Sequence, residues 1–141
     1  ITKLPDNLHI KRNLFCSETE IRELPKNLIV GESLYCQHGS LEFIPDDINV
    51  GKNIILIVNN IKELPTNLTV NGNLDVAFNS IRELPRGLVV KNKLYCEENK
   101  LKTLPDDLIV GDVLYAVGND IKHNVEKPTG VNKIDVATRR F

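Results

Sequence analysis

Residues 74–93, LDVAFNSIRELPRGLVVKNK, decide the fold, because almost all of the remaining chain repeats them. In steps of twenty residues, the Leu84-Pro85 pair recurs as Leu4-Pro5, Leu24-Pro25, Leu64-Pro65 and Leu104-Pro105, with Ile44-Pro45 at the remaining step. Six of the seven prolines therefore share one register. A fixed period of this length predicts a solenoid, in which each unit buries its apolar face against its neighbours. A partial unit, residues 1–13, leads into copies that start at Leu14, Leu34, Ile54, Leu74, Leu94 and Leu114. The pattern breaks down after Asn124. We expect a solenoid over residues 1–124 and a closing cap over 125–141, with one short strand at 133–136.

The unit reads L-x-V-x-x-N-x-I-x-x-L-P-x-x-L-x-V-x-x-x. Its first and third residues alternate inward, as on a short strand. Asn at the sixth position (Asn59, Asn79, Asn99, Asn119) marks the turn out of that strand, where its amide can bond the backbone of adjoining coils. Thr19 and Gly39 interrupt this ladder, so the first two coils should be less regular. Ile at the eighth position and Leu at the eleventh return inside. Pro at the twelfth fixes φ where no ladder donor is needed. A second extended piece, Leu-x-Val, buries two more side chains. Gly31, Gly51, Gly111 and Asn71 then close the coil, where positive φ is expected. No segment carries a helical period. The predicted fold is a β-rich solenoid with one main strand and one short extended segment per coil and little or no helix. Its six and a half coils should span roughly 30 Å at one strand spacing each.

Composition sets limits on function. The 141 residues carry a net charge of −1, with 41% hydrophobic and 26% charged residues. That balance argues against nucleic-acid or membrane-surface binding by bulk charge. No run of 18 apolar residues suggests a membrane helix. The lack of Met, and a first residue in mid-repeat, lead us to expect a piece of a longer protein. Cys16, Cys36 and Cys96 all occupy the third position, which elsewhere holds Leu56, Val76 and Ala116. That is a small apolar core site, so reduced, buried cysteines are expected, which fits a cytoplasmic protein.

The L-x-V-x-x-N-x-I-x-x-L-P core resembles a leucine-rich repeat, and the short Leu-Pro unit is similar to the bacterial class found in type III-secreted effectors of the YopM and IpaH kind. The resemblance covers residues 1–124. After Leu-Pro those effectors tend to carry a second Leu-Pro or Pro-Pro. This chain has L-x-V and a Gly or Asn turn instead, a form that resembles repeats in bacterial and bacteriophage proteins. The resemblance implies a parallel-sheet solenoid that binds other proteins. An effector or inhibitor acting in a bacterial or host cytosol is the expectation that follows.

On such a fold the second position faces outward, and it reads Phe15, Tyr35, Ile55, Asp75, Tyr95, Tyr115. Ile57, Ala77 and Val117 lie beside it at the fourth position, and His38, Val58 and Phe78 at the fifth. An exposed aromatic register of this kind marks an interaction surface, although stacking alone also stabilises neighbouring strands. Acidic Glu18, Asp75, Glu97 and Glu98 share the face and would favour a partner with basic groups. The expected partner-binding set is Phe15, Tyr35, Ile55, Ile57, Asp75, Phe78, Tyr95, Glu97 and Tyr115. The partner is another protein. Neither nucleic acid, membrane nor small-molecule substrate is indicated.

Elsewhere Arg22, Lys62, Arg82, Lys102 and Lys122 share the ninth position, offset by Glu23, Glu63 and Glu83 at the tenth. We read this as a salt-bridged, solvated edge. Signals for chemistry are weak. The three histidines show no metal-ligand spacing, and no phosphate-binding glycine loop or nucleophile elbow appears. Cys36 and His38 are the only conceivable dyad, and Cys36 sits on a core register. The expected protein is therefore not an enzyme and has no catalytic residue, cofactor or metal. The competing reading is a structural or targeting domain of a larger protein.

Overall fold

Alternation at the first three positions of each unit produces a strand only two residues long, since the turn at the fifth position ends it. The computed structural model describes residues 1–122 and 125–140. Its strands are β1 (His9–Ile10), β2 (Leu14–Phe15), β3 (Ile29–Val30), β4 (Leu34–Tyr35), β5 (Asn49–Val50), β6 (Ile54–Ile55), β7 (Thr69–Val70), β8 (Leu74–Asp75), β9 (Val89–Val90), β10 (Leu94–Tyr95), β11 (Ile109–Tyr115) and β12 (Val131–Asp135). Among the described residues there is no helix. The chain is a parallel β-solenoid with a twenty-residue coil, as the repeat predicts.

Each coil contributes to two ladders. The first runs β2-β4-β6-β8-β10-β11, pairing Phe15 with Tyr35, Tyr35 with Ile55, Ile55 with Asp75, Asp75 with Tyr95 and Tyr95 with Tyr115. The second is the Leu-x-Val segment. It forms β1-β3-β5 at one end and β7-β9-β11 at the other. Strand β11 runs unbroken through the corner and so joins both ladders into one sheet. The strand foreseen at 133–136 is β12, which begins two residues earlier. Val131 pairs with Val110, while Lys133, Ile134 and Asp135 pair with Val113, Leu114 and Tyr115. A register shift between these sets absorbs one extra residue of the last coil and keeps Val131 fully buried.

The core is a column of Leu, Ile and Val. Leu28, Leu34, Leu56, Leu74, Leu88, Leu94, Leu101 and Leu108 are fully buried, each contributing roughly 1.5–3 kcal/mol of transfer free energy. The sixth-position amides stitch the coils together. Asn99 Nδ2 donates to the carbonyls of Val76, Cys96 and Glu97, and its Oδ1 accepts from Ile81 N–H. Asn59, Asn79 and Asn119 repeat the arrangement. The first two coils do not lose regularity as expected. Thr19 Oγ1 bonds Cys16 O at 2.9 Å in place of an amide, and β2 and β4 pair in the common register. A second side-chain ladder runs along the twentieth position. There Asn13, Ser33, Asn53 and Asn73 each accept the backbone N–H of the equivalent residue one coil on.

The corner glycines act otherwise than expected. Neither Gly31, Gly51, Gly111 nor Asn71 has positive φ. A Cβ at Gly31 would lie 2.1 Å from Lys11 O, and one at Gly51 2.1 Å from Gly31 O. These positions need glycine because successive backbones approach too closely for a side chain. Positive φ falls instead on the fifth position of every coil, Glu18, His38, Val58, Phe78, Glu98 and Gly118. A β-branched residue is poorly suited to that region. Val58→Asn should therefore raise folding stability, by about 1 kcal/mol, read as a higher urea midpoint. A lower midpoint would mean that Val58 contributes more by packing than it costs in strain.

Candidate functional site

The outward face of the first ladder divides into two halves. In the N-terminal half the second-position side chains face outward, with Phe15 exposed and Tyr35 and Ile55 half-buried. Phe15 is 70% exposed and lies over Tyr35 with ring centroids 5.0 Å apart and an interplanar angle of 5°. Ile55 and Ile57 are half-buried beside them. Val58 and Phe78, both at the left-handed turn, keep more than a third of their surface in water. Parallel in-register pairing holds these side chains about one strand spacing apart, so the apolar strip is rigid.

The C-terminal half is covered. Tyr95 and Tyr115 stack at 4.9 Å and 4°, and the Arg140 guanidinium lies 3.9 Å above the Tyr95 ring centre. Its Nε and one terminal nitrogen donate to both Glu97 oxygens at 2.6 and 2.9 Å, in the fork arrangement that suits guanidinium and carboxylate. Its terminal nitrogens also reach Asp75 at 3.1 and 3.2 Å. Arg139 pairs with Glu98 alongside. This corrects the reading of Asp75 and Glu97 as exposed acids. Asp75 is 4% exposed and Glu97 fully buried, beneath the chain's own C-terminal segment.

Two features at the end of β12 turn that segment back. Asp135 stands in register with Tyr115, so the chain leaves the last strand directly over the aromatic column. Its Oδ1 then accepts the N–H groups of Ala137 and Thr138, which forms the reversing turn and holds its carboxyl below the usual range. Burial lifts the Asp75 carboxyl above its ordinary value, against the lowering pull of its hydrogen bonds to Arg140 and Ala77 N–H. Burial pulls Arg140 down, but its bonds to Glu97 and Asp75 outweigh this and leave it raised.

Sequence reasoning missed Arg139 and Arg140, which lie beyond the repeats. It also missed Phe43, 58% exposed on the charged edge, where it lines a groove of about 650 Å³ with Thr2, Lys3, Glu20, Arg22 and Glu23. The available signal was register, since Phe43 occupies a position that holds Glu23, Glu63, Glu83 and Thr103 elsewhere. On that edge Arg22 pairs with Glu42 at 2.8 Å.

Cys16, Cys36 and Cys96 are free and buried. The Cys36 thiol donates to Cys16 O at 3.4 Å, whereas His38 is exposed on the turn. Contact with the Cys36 thiol, followed by burial, keeps Cys16 protonated well above the usual thiol range. Burial does the same to Cys96, reinforced by Glu97 and Asp75. All three thiols should resist an aromatic disulfide reagent in the folded protein and react together on unfolding. Fast labelling of Cys36 alone would contradict this packing. His123 lies outside the described residues. Among the described residues, no three His, Cys, Asp or Glu side chains are arranged to hold a metal ion, and no helix is long and apolar enough to cross a membrane. Comparison with protein-family models and with curated proteins gives no match to this chain.

Proposed function

We propose that this chain is a recognition module that binds another protein through the outward face of its first ladder. Its repeats belong, on this reading, with the bacterial and bacteriophage leucine-rich repeats that the L-x-V-x-x-N-x-I-x-x-L-P unit resembles. The supporting observation is the outward apolar strip headed by Phe15 at 70% exposure, stacked on Tyr35 and continued by the half-buried Ile55 and Ile57. Apolar surface gathered on one rigid face of a soluble fold favours a partner. Stacked aromatic rings provide large contact area with little further ordering on docking. We read the module as an effector or inhibitor that acts in a cytosol by occupying its target, with no reaction of its own.

The test is affinity capture from extracts of the native host. Wild-type protein is compared with a Phe15→Ser, Tyr35→Ser, Ile55→Ser variant whose circular dichroism is unchanged. The reading requires a protein retained by the wild type and lost by the variant. Equal retention by both would assign these side chains to packing alone.

A further inference from the structure

We propose that Asp75, Tyr95 and Glu97 form an arginine-recognition site, which the C-terminal segment occupies in cis and which a partner's exposed arginine takes over on docking. This deepens the reading above and rests on it for the existence of a protein partner. The pocket has the parts that guanidinium recognition needs. Glu97 presents both oxygens to the fork, Asp75 closes a second side, and the Tyr95 ring forms a floor 3.9 Å from the guanidinium carbon. Both carboxylates are nearly or wholly inaccessible with Arg140 in place, and every described buried polar side-chain atom has a hydrogen-bond partner. The occupant shows what chemistry fits.

The occupant is also replaceable. Beyond β12 the segment forms no further strand among the described residues, and the Asp135 turn and the contacts of Arg139 and Arg140 hold it to the sheet face. The side chains of residues 136–140 are largely exposed apart from Arg140. The site adjoins the free strip through β8, since Asp75 pairs directly with Ile55 on one side and Tyr95 on the other. A partner lying across the strip would therefore place an arginine at Asp75 and Glu97 if apolar side chains precede it. The tail acts as an intramolecular competitor, lowering the apparent affinity by the fraction of time that it fills the site.

The test uses the chain of residues 1–141 and a fluorescein-labelled peptide of residues 136–140, VATRR, with blocked ends. Removing the competitor by Arg139→Ser and Arg140→Ser should tighten peptide binding at least tenfold over wild type. Arg140→Lys, a milder change, should give an intermediate affinity and guards against misfolding of the double variant. A peptide with both arginines replaced by lysine should bind at least fivefold more weakly, because lysine lacks the fork. Adding Asp75→Asn and Glu97→Gln to the double variant should abolish binding. The proposal is overturned if the folded variants bind the peptide no tighter than wild type, or bind the lysine peptide equally well. The two readings fail separately. Phe15→Ser, Tyr35→Ser and Ile55→Ser should abolish partner capture and leave peptide affinity unchanged, so unaltered capture removes the docking face and leaves the arginine site standing.

Discussion

Asn99→Ala loses about 4 kcal/mol of folding stability, measured as the shift in urea unfolding at neutral pH. The side chain is 8% exposed and makes four hydrogen bonds, three as donor to Val76, Cys96 and Glu97 carbonyls and one as acceptor from Ile81 N–H. Alanine strands the Ile81 N–H, at roughly 1–3 kcal/mol, and forfeits three donor bonds, at roughly 0.5–1.5 kcal/mol each, although the Val76, Cys96 and Glu97 carbonyls keep their bonds from Asn79, Asn119 and Phe78 N–H. The loss is not confined to one coil, because the amide joins the fourth unit to the fifth, and a solenoid's stability resides largely in such interfaces. Thr19→Ala provides the comparison. Thr19 replaces the amide with a single hydrogen bond to Cys16 O, so its loss should cost about 1 kcal/mol. Equal effects at the two positions would show that the ladder adds little beyond core packing.

Arg140→Gln should cost about 3 kcal/mol at neutral pH, since it strands two buried carboxylates. The cost should shrink on acidification. Asp75 has a raised carboxyl in the folded protein, chiefly from burial. A carboxyl raised on folding binds more protons in the native state, so its contribution favours stability at low pH and is lost as pH rises through the folded value. Arg140 opposes that loss by stabilising the ionised form. Without it the Asp75 carboxyl rises further, and the variant falls furthest behind the wild type at neutral pH. Glu97, Glu98 and Arg139 are the other charges around this group. Urea midpoints of both proteins at pH 7 and pH 4.5 check the prediction. A gap that widens toward acid would place the main effect of Arg140 elsewhere than on Asp75.

The coil and the sheet face were legible because twenty-residue repetition writes the same physical demand six times. Leu74 and Val76 alternate inward, and Asn79 bonds across coils, for reasons visible in a single unit. The fifth-position turn was hidden, since Glu18, His38, Val58, Phe78 and Glu98 share no chemistry suited to positive φ, and only Gly118 signals it. Gly31 and Gly51 were recognised as corner residues, but the steric demand comes from the carbonyl of the preceding coil and appears only once coils are stacked. The second side-chain ladder could have been read from Asn13, Ser33, Asn53 and Asn73, which share one register. Arg140 could not. Its partners lie 43 and 65 residues earlier, and no repeat relates them. A position outside the period has no copies from which to infer its place.

The partner surface we propose, the first-ladder face, can be located by cross-linking. A photo-crosslinking residue at Phe15 should be compared with one at Ile109, which is 46% exposed on the second ladder. Irradiation in native-host extract should join a single partner to the protein labelled at residue 15 and leave the one labelled at residue 109 free. An adduct formed at residue 109, with none at residue 15, would contradict the account and move the binding surface to the other ladder.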